Sequence, residues 1–256
     1  MGGHHVTQLD HGHVRPRRGR FANRSRFASL NAQLVAFWNF EEPDGGPYAD
    51  ELPRATALDW AEDLAVNVGK GEGRPGEGVT LIEGVQSELE LSYAKLSAPG
   101  NEDVLLKTQD WTLSMWWFLE SFTTVGTLFH TQAMQANTPG VQLRIAESTG
   151  TKLNLKVDDG TSAPQGYFAQ ALTLGAWNHI IIRHQHGGET EFVLNGAPAA
   201  DTFDTSAATG TLDNGTWLWK LGSNTLSPTG TVDSVGIWSR LITDYECGLL
   251  VNGFGG

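Results

Sequence analysis

The alternation of apolar and polar positions is densest between residues 175 and 196, GAWNHIIIRHQHGGETEFVLNG. Over 177–184, Trp177, His179 and Ile181 fall on one side of an extended chain, and Asn178, Ile180 and Ile182 on the other. Apolar side chains on both faces predict an interior strand covered on each side. A Gly187-Gly188 break separates this run from a second, 190–194, which closes on Asn195-Gly196. A type I′ turn needs φ > 0 at both central residues, and Asn-Gly meets that need at least steric cost. A hairpin in the middle of a layered β structure follows.

The same period recurs along the chain. Residues 34–40 place Leu34, Ala36, Trp38 and Phe40 opposite Val35, Phe37 and Asn39 and predict a first strand. Residues 111–120, WTLSMWWFLE, carry aromatics on both faces and predict a long central strand. Shorter strands are predicted at 79–82, 88–91, 126–130, 141–146, 152–157, 216–222 and 230–238, with a turn at Ser148-Thr149-Gly150. Residues 41–60 and 66–78 read as polar, Gly/Pro-rich loops. Only the end looks helical, where Thr243-x-x-Glu246 forms a capping box ahead of Leu249 and Leu250. Short strands at this spacing predict an all-β, antiparallel two-sheet sandwich.

Composition agrees with that class. The chain of 256 residues has 31 glycines and a charged fraction of only 18%, as many short strands joined by tight turns require. A hydrophobic fraction of 39%, with nine tryptophans, supplies a sizeable core. No apolar run approaches the roughly 20 residues of a membrane helix. The start, MGGHHVTQLDHGHVRPRRGR, lacks the apolar segment of a signal peptide, so synthesis in the cytoplasm is expected. The single cysteine, Cys247, excludes an internal disulfide framework and reads as a small buried hydrophobe.

Charge divides the molecule. Six arginines and one aspartate give residues 1–30 a charge of +5, which leaves −17 on the rest of a chain whose net charge is −12. Residues 1–33 therefore read as a basic, extended arm and 34–256 as the folded domain. The arm shows no apolar periodicity and cannot bury enough surface to fold alone. Its docking residues are expected to be Arg15, Arg17, Arg18, Arg20, Arg24 and Arg26, with Phe21 and Phe27 interleaved. The acidic body argues against nucleic acid as a partner.

At this point the ordered segments LVAFWNFEE (34–42), YADELPRATALDW (48–60), WTLSMWWF (111–118), GTLFH (126–130), LGAWNHIIIRH (174–184), FVLNGAP (192–198), LGS (221–223) and GTVDSVGIWSRLITDYECGLLVNG (230–253) resemble the concanavalin A-like, laminin-G-like jelly roll. The likeness covers about residues 34–254, and its closing segment is similar to versions in tailed-phage structural proteins. The resemblance implies a jelly-roll sandwich with first and last strands paired. It also implies a calcium ion and a carbohydrate or protein ligand at the sheet or loop rim. Asp50 and Asp233 are the metal candidates it suggests, Asp50 from the first long loop and Asp233 from the last strand. Glu-Leu-Pro-Arg (51–54) departs from the Ser, Gly and Asn usual there.

Other chemistry is sparse. Retaining glycosidases need two carboxylates about 5–5.5 Å apart, and jelly-roll enzymes carry them as Glu-x-Asp-x-x-Glu or Glu-x-Asp-x-Glu, a run missing here. Glu88-Leu89-Glu90 and Glu189-Thr190-Glu191 alternate but lack a third carboxylate in register. His184-Gln185-His186, with His179 nearby on the strand, lack a carboxylate or Cys at ligand spacing, and the turn histidines read as solvated. For a sugar, the candidates are the loop aromatics Tyr48, Trp60, Tyr167 and Phe168, whereas Trp38, Trp116, Trp177 and Trp238 read as core. The expectation is a non-enzymatic virion protein of a tailed phage, in a capsid-decorating or tail-surface role. Its arm would hold neighbouring virion proteins or a second copy, and its outward domain would be open to host glycans. A free carbohydrate-binding module and a glycosidase of the same fold are the alternatives.

Overall fold

The computed structural model describes residues 28–42, 47–54, 56–62, 69–73, 76–83, 87–131, 137–146, 150–213, 215–216, 218–223 and 226–253. The arm residues Arg15, Arg17, Arg18, Arg20, Phe21, Arg24, Arg26 and Phe27 lie outside them, as do Ser148 and Thr149. Among the described residues, fifteen strands, numbered along the chain, form two antiparallel sheets. The first sheet holds β1 (Leu34–Trp38), β3 (Gly69–Gly73), β4 (Gly76–Leu81), β6 (Trp111–Ser121), β11 (Ala176–His184), β12 (Glu189–Leu194), β13 (Ala197–Asp204) and β15 (Thr229–Trp238). Its order is β13-β12-β11-β6-β15-β4-β3, with β1 pairing the later half of β15 on the edge whose first half β4 occupies. The second holds β2 (Ala61–Glu62), β5 (Glu88–Leu91), β7 (Val125–His130), β8 (Gly140–Ala146), β9 (Lys152–Asp158), β10 (Gln165–Ala171) and β14 (Trp219–Gly222), in the order β10-β9-β8-β7-β14-β5-β2. This is the expected two-sheet sandwich, and its first and last strands pair through Phe37 with Gly236 and Trp38 with Val235.

Alternation builds the core. Trp111, Leu113, Met115, Trp117 and Leu119 of β6 face Leu143 and Ile145 of β8 and Leu153, Leu155 and Val157 of β9 in one continuous cluster. The opposite face of β11 is apolar for a separate reason. Ile181, Val193 and Trp238 pack there against Leu30, Ile242, Cys247 and Leu250. Leu30 belongs to α1 (Ala28–Asn31), and Cys247 and Leu250 to the terminal helix α3 (Asp244–Gly253). A short helix α2, Tyr93–Leu96, lies between β5 and β6.

The predicted turn forms as the chemistry demands: Asn195 has φ 54° and Gly196 φ 70°. It joins β12 to β13, pairing Leu194 with Ala197. The capping box also forms, with Glu246 N–H donating to Thr243 Oγ1 at 3.3 Å and Thr243 N–H to Glu246 Oε2 at 2.8 Å. Beyond α2 and the unpredicted strands β10 and β13, two regions fold otherwise than the sequence reading assigned them. Part of 66–78 is the β3–β4 hairpin and not loop, because Gly71 and Gly78 let β3 and β4 lie against Thr231. A Cβ would stand 2.8 Å from that side chain at Gly71 and 2.7 Å at Gly78. Residues 28–33 belong to the body and not to the arm. Leu30 is buried, and its carbonyl accepts Trp238 Nε1–H at 2.6 Å.

Candidate functional site

The strict alternation of β8 and β9 sends Val141, Leu143 and Ile145, with Leu153, Leu155 and Val157, into the core. Gln142, Arg144, Lys152, Asn154, Lys156 and Asp158 are thereby placed on the outer face of the second sheet. Antiparallel pairing lines these up with neighbouring strands. One row runs Gln165, Lys156, Gln142, His130, Lys220, Glu90 across six strands. Next to it runs Tyr167, Asn154, Arg144, Thr127. At about 4.8 Å per strand, the longer row extends roughly 24 Å.

The two ends of this face differ. At the β14–β5 end, Lys220 Nζ lies 2.7 Å from Glu88 Oε1 and 2.5 Å from Glu90 Oε1. Burial works to lower the Lys220 pKa, but hydrogen bonds and charge contacts with both glutamates outweigh it and hold the ammonium above the ordinary 10.5. Glu88 and Glu90 are thus cross-strand partners of one lysine. At the other end, Lys156 Nζ sits 2.8 Å from Asp158 Oδ2. Beside it, Asn154 is buried and acts as a hub. Its Oδ1 accepts Arg144 Nε–H and Gln165 Nε2–H, both at 2.9 Å, and its Nδ2 donates to the Gly166 carbonyl at 2.9 Å. Tyr167, in register with Asn154, is 50% exposed. This corner combines an aromatic ring, amides and a guanidinium, all on strands.

Of the four aromatic candidates, only Tyr167 reaches solvent. Tyr48 and Trp60 are core residues that pair backbone N–H to carbonyl at 2.9 Å in both directions, and their rings pack edge-on against Phe40 and Trp38. Phe168 faces inward from β10 against Phe192, 5.2 Å between ring centroids. None of these three can offer a ring face to a sugar. The assignment fails because a loop in sequence was equated with exposure, and because β10 carries too little alternation to be read as a strand. Gln142, Arg144, Asn154 and Lys156 were legible on one face from their spacing; their cross-strand partners depend on register.

The metal candidates do not fit a calcium ion. Asp50 Oδ1 accepts the N–H groups of Phe37 at 2.9 Å and Leu52 at 3.2 Å, and Oδ2 takes Arg54 Nε–H at 2.8 Å. Burial raises the Asp50 pKa above its ordinary 3.8, with those bonds opposing it. Arg54 Nη1 also meets the Gly100 carbonyl, Asn101 Oδ1 and Asp103 Oδ1, each at 3.2 Å. A guanidinium therefore already supplies the positive charge among these oxygens. Asp233 is buried and accepts Ser234 Oγ–H at 3.1 Å, three residues along β15 from the Gly236 that pairs with Phe37. Among the described residues, no three His, Cys, Asp or Glu side chains converge as a metal site.

Of the two turn histidines expected in solvent, His186 is partly exposed and His184 is not. His179 is buried, stacked on Trp116 at 4.5 Å, with Nε2 2.8 Å from Ser114 Oγ. His184 is buried against Trp111, and its Nδ1 is 2.8 Å from Thr190 Oγ1. Burial pushes the Cys247 thiol up to about 11, as befits an inert core residue.

No curated protein matches the sequence. Solved structures share the fold at low identity. The binding domain of Paraclostridial Mosquitocidal Protein 1 superposes with a TM-score of 0.64 at 16% identity, over 88% of this chain and 53% of that one. The botulinum neurotoxin serotype D binding domain, solved with N-acetylneuraminic acid, gives 0.64 at 11%, over 89% and 52%. This chain thus spans about half the length of those toxin domains. Domain 4 of an arabinanase from Geobacillus stearothermophilus, solved with arabinotriose, gives 0.61 at 18%, over 86% and 98%. Residues 92–247, more than half of the chain, match the laminin-G-like family model, and with the paired first and last strands this places the protein in the concanavalin A-like lectin/glucanases superfamily.

Proposed function

We propose that this protein is a non-catalytic glycan-binding module whose recognition surface is the outer face of the second sheet, centred on Tyr167, Asn154 and Arg144. The observation that carries this reading is Tyr167, a half-exposed aromatic ring in register with a buried, oriented amide and a guanidinium. An aromatic face is electron-rich and receives the C–H groups of a pyranose, while fixed polar groups select its hydroxyls. Sites on strands hold such groups more rigidly than sites on loops. Like the arabinanase domain solved with arabinotriose, the chain is a single sandwich of this fold. The carboxylates Glu88 and Glu90 share one ammonium and serve the sheet as an ion pair, which favours binding without hydrolysis. A particle-anchored role for residues 1–30 draws its support from the charge division of the sequence.

Screening the full chain against an array of neutral and acidic oligosaccharides tests the proposal. At least one glycan is expected to bind, with affinity falling at least tenfold in Tyr167→Ala and Asn154→Ala. An array without binders, or a binder indifferent to both substitutions, overturns it.

A further inference from the structure

Resting on the glycan-binding reading, we infer that the ligand is an acidic sugar whose carboxylate is received by Arg144. On the outer face of the second sheet, Lys156 is neutralised by Asp158, and Lys220 by Glu88 and Glu90. Arg144 is different. Its Nε is committed to Asn154 Oδ1 at 2.9 Å, and among the described residues neither η nitrogen has an acceptor and no carboxylate lies within ion-pair distance. Asn154 is itself fixed by Gln165 and the Gly166 carbonyl. The guanidinium is therefore oriented at one edge, and its other edge has no protein acceptor among the described residues.

A half-buried guanidinium without a counter-charge among the described residues is unusual in a chain of net charge −12, where acidic partners are abundant. Lys152, two residues before Asn154 on β9, likewise has no carboxylate partner among the described residues. Thr127, next in register to Arg144, is buried, and its hydroxyl has no hydrogen-bond partner among the described residues. Among the described residues the strands beside Tyr167 thus hold two cations without carboxylate partners, Arg144 and Lys152, while Asp201 at the outer edge of β10 is taken up by the N–H groups of Ala169 and Gln170. A planar carboxylate matches the open edge of a guanidinium in a two-bond contact, which a neutral hydroxyl does not. A uronic or sialic acid would place its carboxylate on Arg144 and its ring towards Tyr167, about two strand spacings away, roughly 10 Å.

Calorimetric titration of the full chain with trigalacturonate, a mannuronate trisaccharide and sialyllactose, each beside its carboxyl-reduced counterpart, tests the inference. At least one acid should bind tenfold or more tightly than its reduced form, and the preference should shrink as salt screens the contact. Arg144→Gln should bring the ratio close to one at an unchanged melting temperature. Arg144→Lys, which keeps the charge but loses the fork, should give an intermediate ratio. If reduced forms bind as tightly as the acids, or only neutral glycans bind, the inference falls while the glycan-binding reading stands. If no glycan of either kind binds, both fall.

Discussion

Burial, helped by repulsion from His186, holds the His184 imidazole at a pKa of about 4, below the ordinary 6.5. The ring packs on Trp111 with centroids 5.0 Å apart, and Thr190 occupies its Nδ1 side. In the unfolded chain this histidine takes a proton near pH 6.5, whereas the folded protein resists protonation until about 4. The unfolded state therefore binds more protons through that window, and stability declines as pH falls across it. The full loss at the acid end is about 3 kcal/mol at 1.36 kcal/mol per pKa unit. Urea unfolding of wild type and His184→Gln at pH 7 and pH 4.5 checks this, since the wild type should lose more stability between the two. Arg54 presents the opposite case, a charge whose removal strands another. The Asp50 side chain is only 1% exposed, so Arg54→Ala leaves a buried carboxylate unpaired at a cost of about 3–5 kcal/mol. Because the guanidinium already supplies the cation, a chelator should leave the wild-type melting temperature where it was.

The helix α3 shows how much one short motif settles. Arg240 reaches Glu246 through two contacts of 2.8 and 2.7 Å, and chiefly for that reason the Glu246 carboxyl is lowered to about 2. A depressed carboxyl stabilises the fold above its unfolded value of 4.5 and loses that contribution only as pH falls towards 2, so this cap outlasts the His184 contribution in acid. Thr243→Ala removes the hydroxyl that accepts Glu246 N–H and should cost about 1 kcal/mol in chemical denaturation. Thr-x-x-Glu was visible in the sequence because a cap is local. The long strands β6 and β11 were visible because large apolar side chains mark the buried faces of both. The strands β3, β10 and β13 were not: GKGEG, QGYFAQA and APAADTFD hold small or polar residues where an apolar period would have shown them. Gly166 illustrates the reason, since a Cβ there would lie 2.4 Å from the Phe203 ring. Close approach of β10 to β13 removed the very side chain that would have signalled a strand. The candidate site divides in the same way. Spacing within β8 and β9 exposes one polar face, but only pairing between strands sets Tyr167 beside Asn154 and Arg144.

At the scale of the molecule, the point at which the folded body begins decides which truncations the fold tolerates. Leu30 fills the cluster under α3, and its carbonyl accepts Trp238 Nε1–H. The carbonyls of Ser29 and Ala32 accept Arg240 at 2.7 and 2.9 Å, the same arginine that holds Glu246. Residues 28–33 therefore join the first strand, the last strand and the terminal helix. Losing a buried leucine alone costs about 2–5 kcal/mol. The lost acceptor for Trp238 Nε1–H adds to that, because a buried donor left unpaired costs about 1–3 kcal/mol. A chain starting at residue 34 should thus melt well below one starting at residue 28, by roughly 10 °C at 2–4 °C per kcal/mol for a domain of this size. Calorimetry on the two truncations measures that difference independently of residues 1–27. Equal melting temperatures would return residues 28–33 to the arm and remove them from the fold.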